Sequence, residues 1–193
     1  MAYMGFPFVS MLRRAAGEGR RYHWFRDVCD RNYLDTAERS TMGLFSRKGT
    51  RVAFQLSKTI PMSPDRAWSR LSDWSTHGEW IPMTRMEIDP ADPNRFTAWS
   101  GLGKLALEDR MQVVATSTDS DTKTCRVAKL GPVLVGEAEF AVSPAPSPDH
   151  CVVAWREDVN VPFLPSFLAP VAAFIGKSLF GASIKRMAKK TPA

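Results

Sequence analysis

The chain has 193 residues, 44% of them hydrophobic, with a formal net charge of +6, which suits one domain with a sizeable core and a tail. No run of about 18 apolar residues is free of charge, so no transmembrane helix is predicted. The three cysteines, Cys29, Cys125 and Cys151, are odd in number and too widely separated for a disulfide framework or a zinc site.

The charge is uneven. Residues 1–48 hold nine Lys/Arg against five Asp/Glu, residues 177–193 hold five basic and no acidic residues, and the body between carries 12 basic and 15 acidic residues. A nucleic-acid partner would call for a basic stripe or a recognisable motif, and neither is visible; the basic C-terminus is instead suited to transient membrane contact. The apolar start MAYMGFPFVSML precedes Arg13 and Arg14, the reverse of the order in a secretory signal. With the cysteine usage, this points to a reducing cytoplasm.

Residues 1–48 show little periodicity beyond Tyr22, Trp24, Phe25, Val28 and Tyr33, and are read as a disordered or mis-started extension. Met42 offers an alternative start, and residues 1–41 are expected to be dispensable. The domain is placed at 49–190, with 191–193 as a tail.

The first strand is RVAFQLSKTI, Arg51 to Ile60. Ser63-Pro64-Asp65 then has the chemistry of a helix start: a capping hydroxyl, a proline whose missing N–H is harmless, and an acid that complements the dipole. Ala67, Trp68 and Leu71 form its core stripe. A second short helix is expected over Trp74 to Trp80, ending before Pro82.

Six further strands are read at Thr84 to Asp89, Arg95 to Ser100, Lys104 to Thr116, Thr122 to Leu130, Leu134 to Ser143 and Cys151 to Asn160, separated by Gly-, Pro- and Asp-rich turns. Loops this short predict a meander. A long apolar helix from about Ser166 to Lys190 closes the chain. It is the only element long enough to cover one face of a twisted antiparallel sheet. The fold class is therefore α+β, a curved seven-stranded antiparallel sheet wrapped around a C-terminal helix.

Strand parity selects the site. Leu105, Leu107, Met111 and Val113 share a face with Asp109, and Val153, Trp155 and Val159 share one with Glu157. Two carboxylates would then point inward, where burial raises a carboxyl pKa and permits acid–base work. Trp80, Met83, Trp99, Leu107, Met111 and Trp155 are expected to line an apolar pocket, closed by Phe167, Val171, Phe174, Ile175 and Leu179 of the last helix. His77, beside two tryptophans, reads as a packing or capping residue. No metal-ligand spacing, nucleophile elbow or phosphate loop is present, so neither metal nor cofactor is expected.

The segments SPDRAW, SDWSTHGEW and LAPVAAFIGKSLFGASIKRM, in this order along residues 51 to 190, resemble the START-like helix-grip superfamily, also called SRPBCC, the polyketide cyclase/dehydrase and lipid-transport proteins. The resemblance implies binding of a hydrophobic small molecule, such as a lipid, sterol-like or polyketide-derived ligand, between sheet and terminal helix. It equally implies a polyketide cyclase or aromatase. Small START-like chains described as toxin components of toxin-antitoxin pairs are similar in the SDWSTHGEW segment and the LAPVAAFIGKSL helix.

Overall fold

Seven strands and three helices follow one another as the sequence pattern predicts: β1 (Thr50–Ile60), α1 (Pro64–Ser72), a 3-10 turn (Trp74–Thr76), α2 (His77–Trp80), β2 (Thr84–Ile88), β3 (Arg95–Ser100), β4 (Leu107–Ser117), β5 (Lys123–Pro132), β6 (Val135–Pro144), β7 (Cys151–Val161), a second 3-10 turn (Ser166–Leu168) and α3 (Ala169–Lys189). The computed structural model describes residues 49–101, 103, 106–118, 121–147 and 149–189. The expectations placed on residues 1–48, on Leu105 and on residues 191–193 lie outside them. The chain divides into two units, Met1–Ser46 and Arg47–Ala193, and the fold is that of the second.

All strands are antiparallel, in the order β1-β7-β6-β5-β4-β3-β2. Strands β2 to β7 form the expected meander, and β1 closes against β7 with Ile60 opposite Cys151. Because paired residues share a face, the register defines the inner surface. It carries Leu56 and Ile60 of β1, Phe96 of β3, Val127 of β5, Phe140 and Val142 of β6, and Val153 and Trp155 of β7, all buried.

Against one end of this surface pack Ala67 and Leu71 of α1, Trp80 of α2, and Ile184 and Met187 of α3, none with measurable exposure. Aromatic rings tie the layers together: Trp74 stacks on Phe96 at 4.3 Å, and Trp155 on Phe180 at 4.7 Å. Burying a large apolar side chain is worth roughly 1.5–3 kcal/mol, so this single cluster carries much of the stabilising burial.

Helix α1 departs from the expected start in one respect. The Ser63 hydroxyl makes no capping bond, and only its carbonyl engages the helix, accepting from Ala67 N–H at 3.0 Å. Asp65 is instead held by Lys123 of β5 at 2.6 Å.

His77 takes the packing role. It is buried between Trp74 and Trp80, with ring centroids 5.0 and 4.5 Å away, and its Nε2 lies 2.9 Å from the Leu71 carbonyl. Burial lowers its pKa from 6.5 to about 4. A depressed histidine gives stability that is complete above the unfolded pKa and is lost as pH falls through the folded value. Stability should therefore decline from about pH 6.5 to about pH 4 by roughly 3 kcal/mol through this group. Thermal melts of the parent and His77→Gln across that range check this, the substitution flattening the slope.

Candidate functional site

Three ionisable side chains meet on the inner face of the sheet: Asp109 of β4, Lys129 of β5 and Glu157 of β7. They are only 8%, 5% and 5% exposed. Lys129 Nζ lies 2.5 Å from Asp109 Oδ2 and 3.7 Å from Glu157 Oε1. The Met111 sulfur is 3.6 Å from the same nitrogen, and Trp155 Nε1 donates to Glu157 Oε1 at 3.4 Å.

The register explains how groups on non-adjacent strands come together. Strands β5 and β7 are separated by β6, about 9.6 Å for two strand spacings, and β6 places only Gly136 opposite Lys129 and Ala138 opposite Glu157. Ala98 lies opposite Asp109 on β3. This row of small residues leaves space above the sheet, and the three long polar side chains fill it.

One ammonium faces two carboxylates, so the fully ionised cluster carries one negative charge in excess. Burial raises the pKa of Glu157, and the neighbouring Asp109 charge adds to this, against the opposing pull of Lys129. For Lys129 burial acts to lower the pKa, but Glu157 and Asp109 outweigh it and the net direction is upward. Lys129 is thus a fixed cation rather than a free amine nucleophile, and Glu157 is the group inclined to hold a proton. Asp109 Oδ1 is buried with no hydrogen-bond partner among the described residues. The arrangement pairs a proton donor with an ion-paired acceptor in an apolar surround, the minimum for moving a proton.

The inward parity of Asp109 and Glu157 thus agrees with the sequence reading; Lys129 is the residue that reading missed. Its signal was present in β5, where Cys125, Val127 and Lys129 alternate on the face opposite Phe140, Ala138 and Gly136.

A second feature lies between α3 and β1. A groove of about 450 Å³ is bounded by Leu56, Phe174, Gly181 and Ala182, with Lys58, Lys177, Lys185 and Ser178 around it. Among the described residues no acidic side chain lines it, and none of the three cluster residues does.

The expected apolar lining is divided by the structure. Trp155 and Met111 border the cluster, whereas Trp80 is sealed in the core beside His77. Trp99 belongs to the opposite face, because its neighbours Ala98 and Ser100 alternate with it; its Nε1 donates to Glu87 at 3.1 Å and Arg85 lies over its ring. Met83, in the turn before β2, and Leu107, the first residue of β4, are both exposed.

The helix residues need the same correction. Phe167, Val171, Phe174, Ile175 and Leu179 are all exposed, by 39% to 76%, rather than closing over the sheet. The sheet-facing side is instead Gly176, Phe180, Ser183, Ile184 and Met187. A Cβ on Gly176 would stand 2.6 Å from the Phe54 ring, and Phe180 packs between Phe54 and Trp155. The Phe54 ring already occupies the space beside position 176, so α3 can approach there only with a glycine inward. Of the predicted helix residues, Phe174 alone borders the groove.

Comparison with known proteins agrees with the fold. Residues 51–191 match the family described as polyketide cyclase / dehydrase and lipid transport. A START superfamily protein from Mycobacterium smegmatis superposes with a TM-score of 0.60 at 13% identity, covering 71% of this chain and 97% of the other. Truncated norcoclaurine synthase from Thalictrum flavum gives 0.54 at 15% identity, covering 76% and 96%. The di-domain ARO/CYC StfQ of the steffimycin biosynthetic pathway gives 0.56 at 14% identity, covering 72% of this chain and 50% of that one. No curated protein sequence matches the chain.

Proposed function

Since this chain belongs to the polyketide cyclase/dehydrase and lipid transport family, we propose that it binds a hydrophobic small molecule carrying an anionic group, of the lipid, sterol-like or polyketide type, between α3 and the sheet. The observation that supports this reading is the groove beside β1. Its volume of about 450 Å³ falls within the range of small-molecule sites. An apolar floor of Leu56 and Phe174 would take the hydrocarbon part, and Lys58, Lys177 and Lys185 would face a carboxylate or phosphate. Lysine is suited to this as a point charge on a flexible stem.

The test compares a fluorescent fatty acid with the corresponding alcohol at concentrations where neither forms micelles. The acid is expected to bind at least tenfold more tightly, about 1.4 kcal/mol, and Lys177→Glu/Lys185→Glu is expected to remove the difference. Equal affinity for acid and alcohol would refute the anionic preference, and binding of neither would refute the reading.

The Asp109–Lys129–Glu157 cluster favours a second reading, a polyketide cyclase-type enzyme. Holding a flexible chain in a reactive conformation is itself a large contribution to rate, and Glu157 would supply the proton. Turnover of an aromatic polyketide or small lactone, lost on the order of 10²-fold or more in Glu157→Gln, would put this reading in place of the first.

A further inference from the structure

We propose that the outward side of α3, with the turn before it, docks on the surface of an anionic lipid bilayer. This face shares Phe174, Lys177 and Lys185 with the groove, but the inference does not depend on what occupies the groove.

Helix α3 is apolar on both of its sides, the sheet-facing one and the exposed one. Its sheet side contains Gly176, Gly181 and Ser183, while Phe167, Phe174, Ile175 and Val171 are 76%, 70%, 59% and 52% exposed. At 100° per residue these four fall on one side of the helix, opposite Phe180, Ile184 and Met187. Ahead of the helix, Phe163 is completely exposed at a φ of +62°, a backbone conformation that bulky residues rarely adopt. The connection from β7 therefore presents a ring to solvent shortly before α3 begins. Surfaces of this kind mark an interaction site.

Charge identifies the occupant. From Val159 to the end of the chain there is no Asp or Glu, and the helix carries Lys177, Lys185, Arg186 and Lys189. Lys185 and Lys189 continue the line of Phe167 and Val171, so one side changes from apolar to basic about 15 Å beyond Ile175 at 1.5 Å per residue. An acidic protein partner would find its charge complement at only one end. A bilayer with anionic headgroups satisfies both parts, the rings entering the acyl boundary and the cations resting at the phosphates. The helix is long and apolar enough to span a membrane, but its other side is packed on Phe54, Trp155 and the core residues. A spanning helix would have to leave the fold, whereas surface docking leaves it intact.

The experiment is co-sedimentation of the full chain with vesicles of phosphatidylcholine alone and of phosphatidylcholine with 30% phosphatidylglycerol (about a third anionic lipid, typical of charged surfaces). Binding to the anionic vesicles is expected to exceed binding to the neutral ones at least tenfold and to fall when salt shortens the screening length. Phe167→Asp/Val171→Asp should lower it at least tenfold while leaving the melting temperature and fatty-acid binding unchanged, since neither residue lines the groove. Arg186→Glu/Lys189→Glu should lower it independently, which keeps the test decisive should the first variant fold poorly. No sedimentation with anionic vesicles, or equal sedimentation of parent and both variants, overturns the proposal. A mass twice that of the chain, returning to monomer in Phe167→Asp/Val171→Asp, also overturns it and assigns the face to a second copy.

Discussion

Replacing Lys129 by methionine is expected to destabilise the domain by about 3–5 kcal/mol at pH 7, the cost of leaving buried charges without their partner. Methionine fits the space but removes the only cation from between Asp109 and Glu157. The two carboxylates would then be held among apolar side chains, with the long Trp155 N–H bond to Glu157 too weak to offset their desolvation. The pH dependence distinguishes this from simple loss of packing. Glu157 already has a raised pKa, so the stability associated with its proton is present below the ordinary carboxylate range and declines as pH rises through the folded value. Without Lys129 that decline steepens, and the gap between parent and variant widens from acid to neutral pH.

Neutralising the whole cluster, as Asp109→Asn/Lys129→Met/Glu157→Gln, should recover most of the loss, because it leaves no uncompensated charge. Urea titrations at two pH values measure all three proteins. A loss under about 1 kcal/mol for Lys129→Met would mean that the carboxylates are solvated or take another cation.

The second large effect is expected at Gly136, which lies opposite Lys129 on one side and Val159 on the other. A Cβ at this position would run into the Asp158 carbonyl oxygen and come 2.8 Å from the Val159 Cα, with φ at +153°. Both obstructing atoms belong to the backbone of β7, so no side-chain rotation relieves the contact. Gly136→Ala should cost roughly 3 kcal/mol or more, combining backbone strain with overpacking. It should also push β6 away from β7, across which Lys129 and Glu157 meet. A melting temperature within about 2 °C of the parent, under about 1 kcal/mol for a domain of this size, would refute the close approach.

The strands were legible because alternation and turn chemistry are local signals. The predicted spans and the observed ones differ by at most three residues at any end, and parity gave the inward face at residues such as Trp155. Local pattern also placed Asp109 and Glu157, but the rule that aromatic residues face inward does not hold throughout. Trp99 is the counterexample: its parity with respect to Phe96 already put it on the other side of β3. Lys129 was overlooked for the converse reason, since a lysine is rarely buried unless paired and its partners come from two other strands.

The helix could not be solved in this way. Residues 166–189 are apolar on nearly every side, so the sequence defines no stripe. The inward side is chosen by Phe54 and Trp155: the Phe54 ring leaves no room for a Cβ at position 176, and both rings pack on Phe180. That selection depends on residues more than a hundred positions apart in the chain.

The pairing of β1 with β7 sets an order of events during synthesis. Strands β2 to β7 can zip as successive hairpins while they leave the ribosome, each meeting a neighbour across a short turn. The first strand has no such neighbour: even its nearest pair, Ile60 with Cys151, closes a loop of about 90 residues. Its partner is among the last strands made, and α3, which packs on β1, is made later still. The nascent domain therefore carries an unpaired apolar strand through most of its translation, the kind of species that aggregates, and a holdase that binds VAFQL would protect it until β7 emerges.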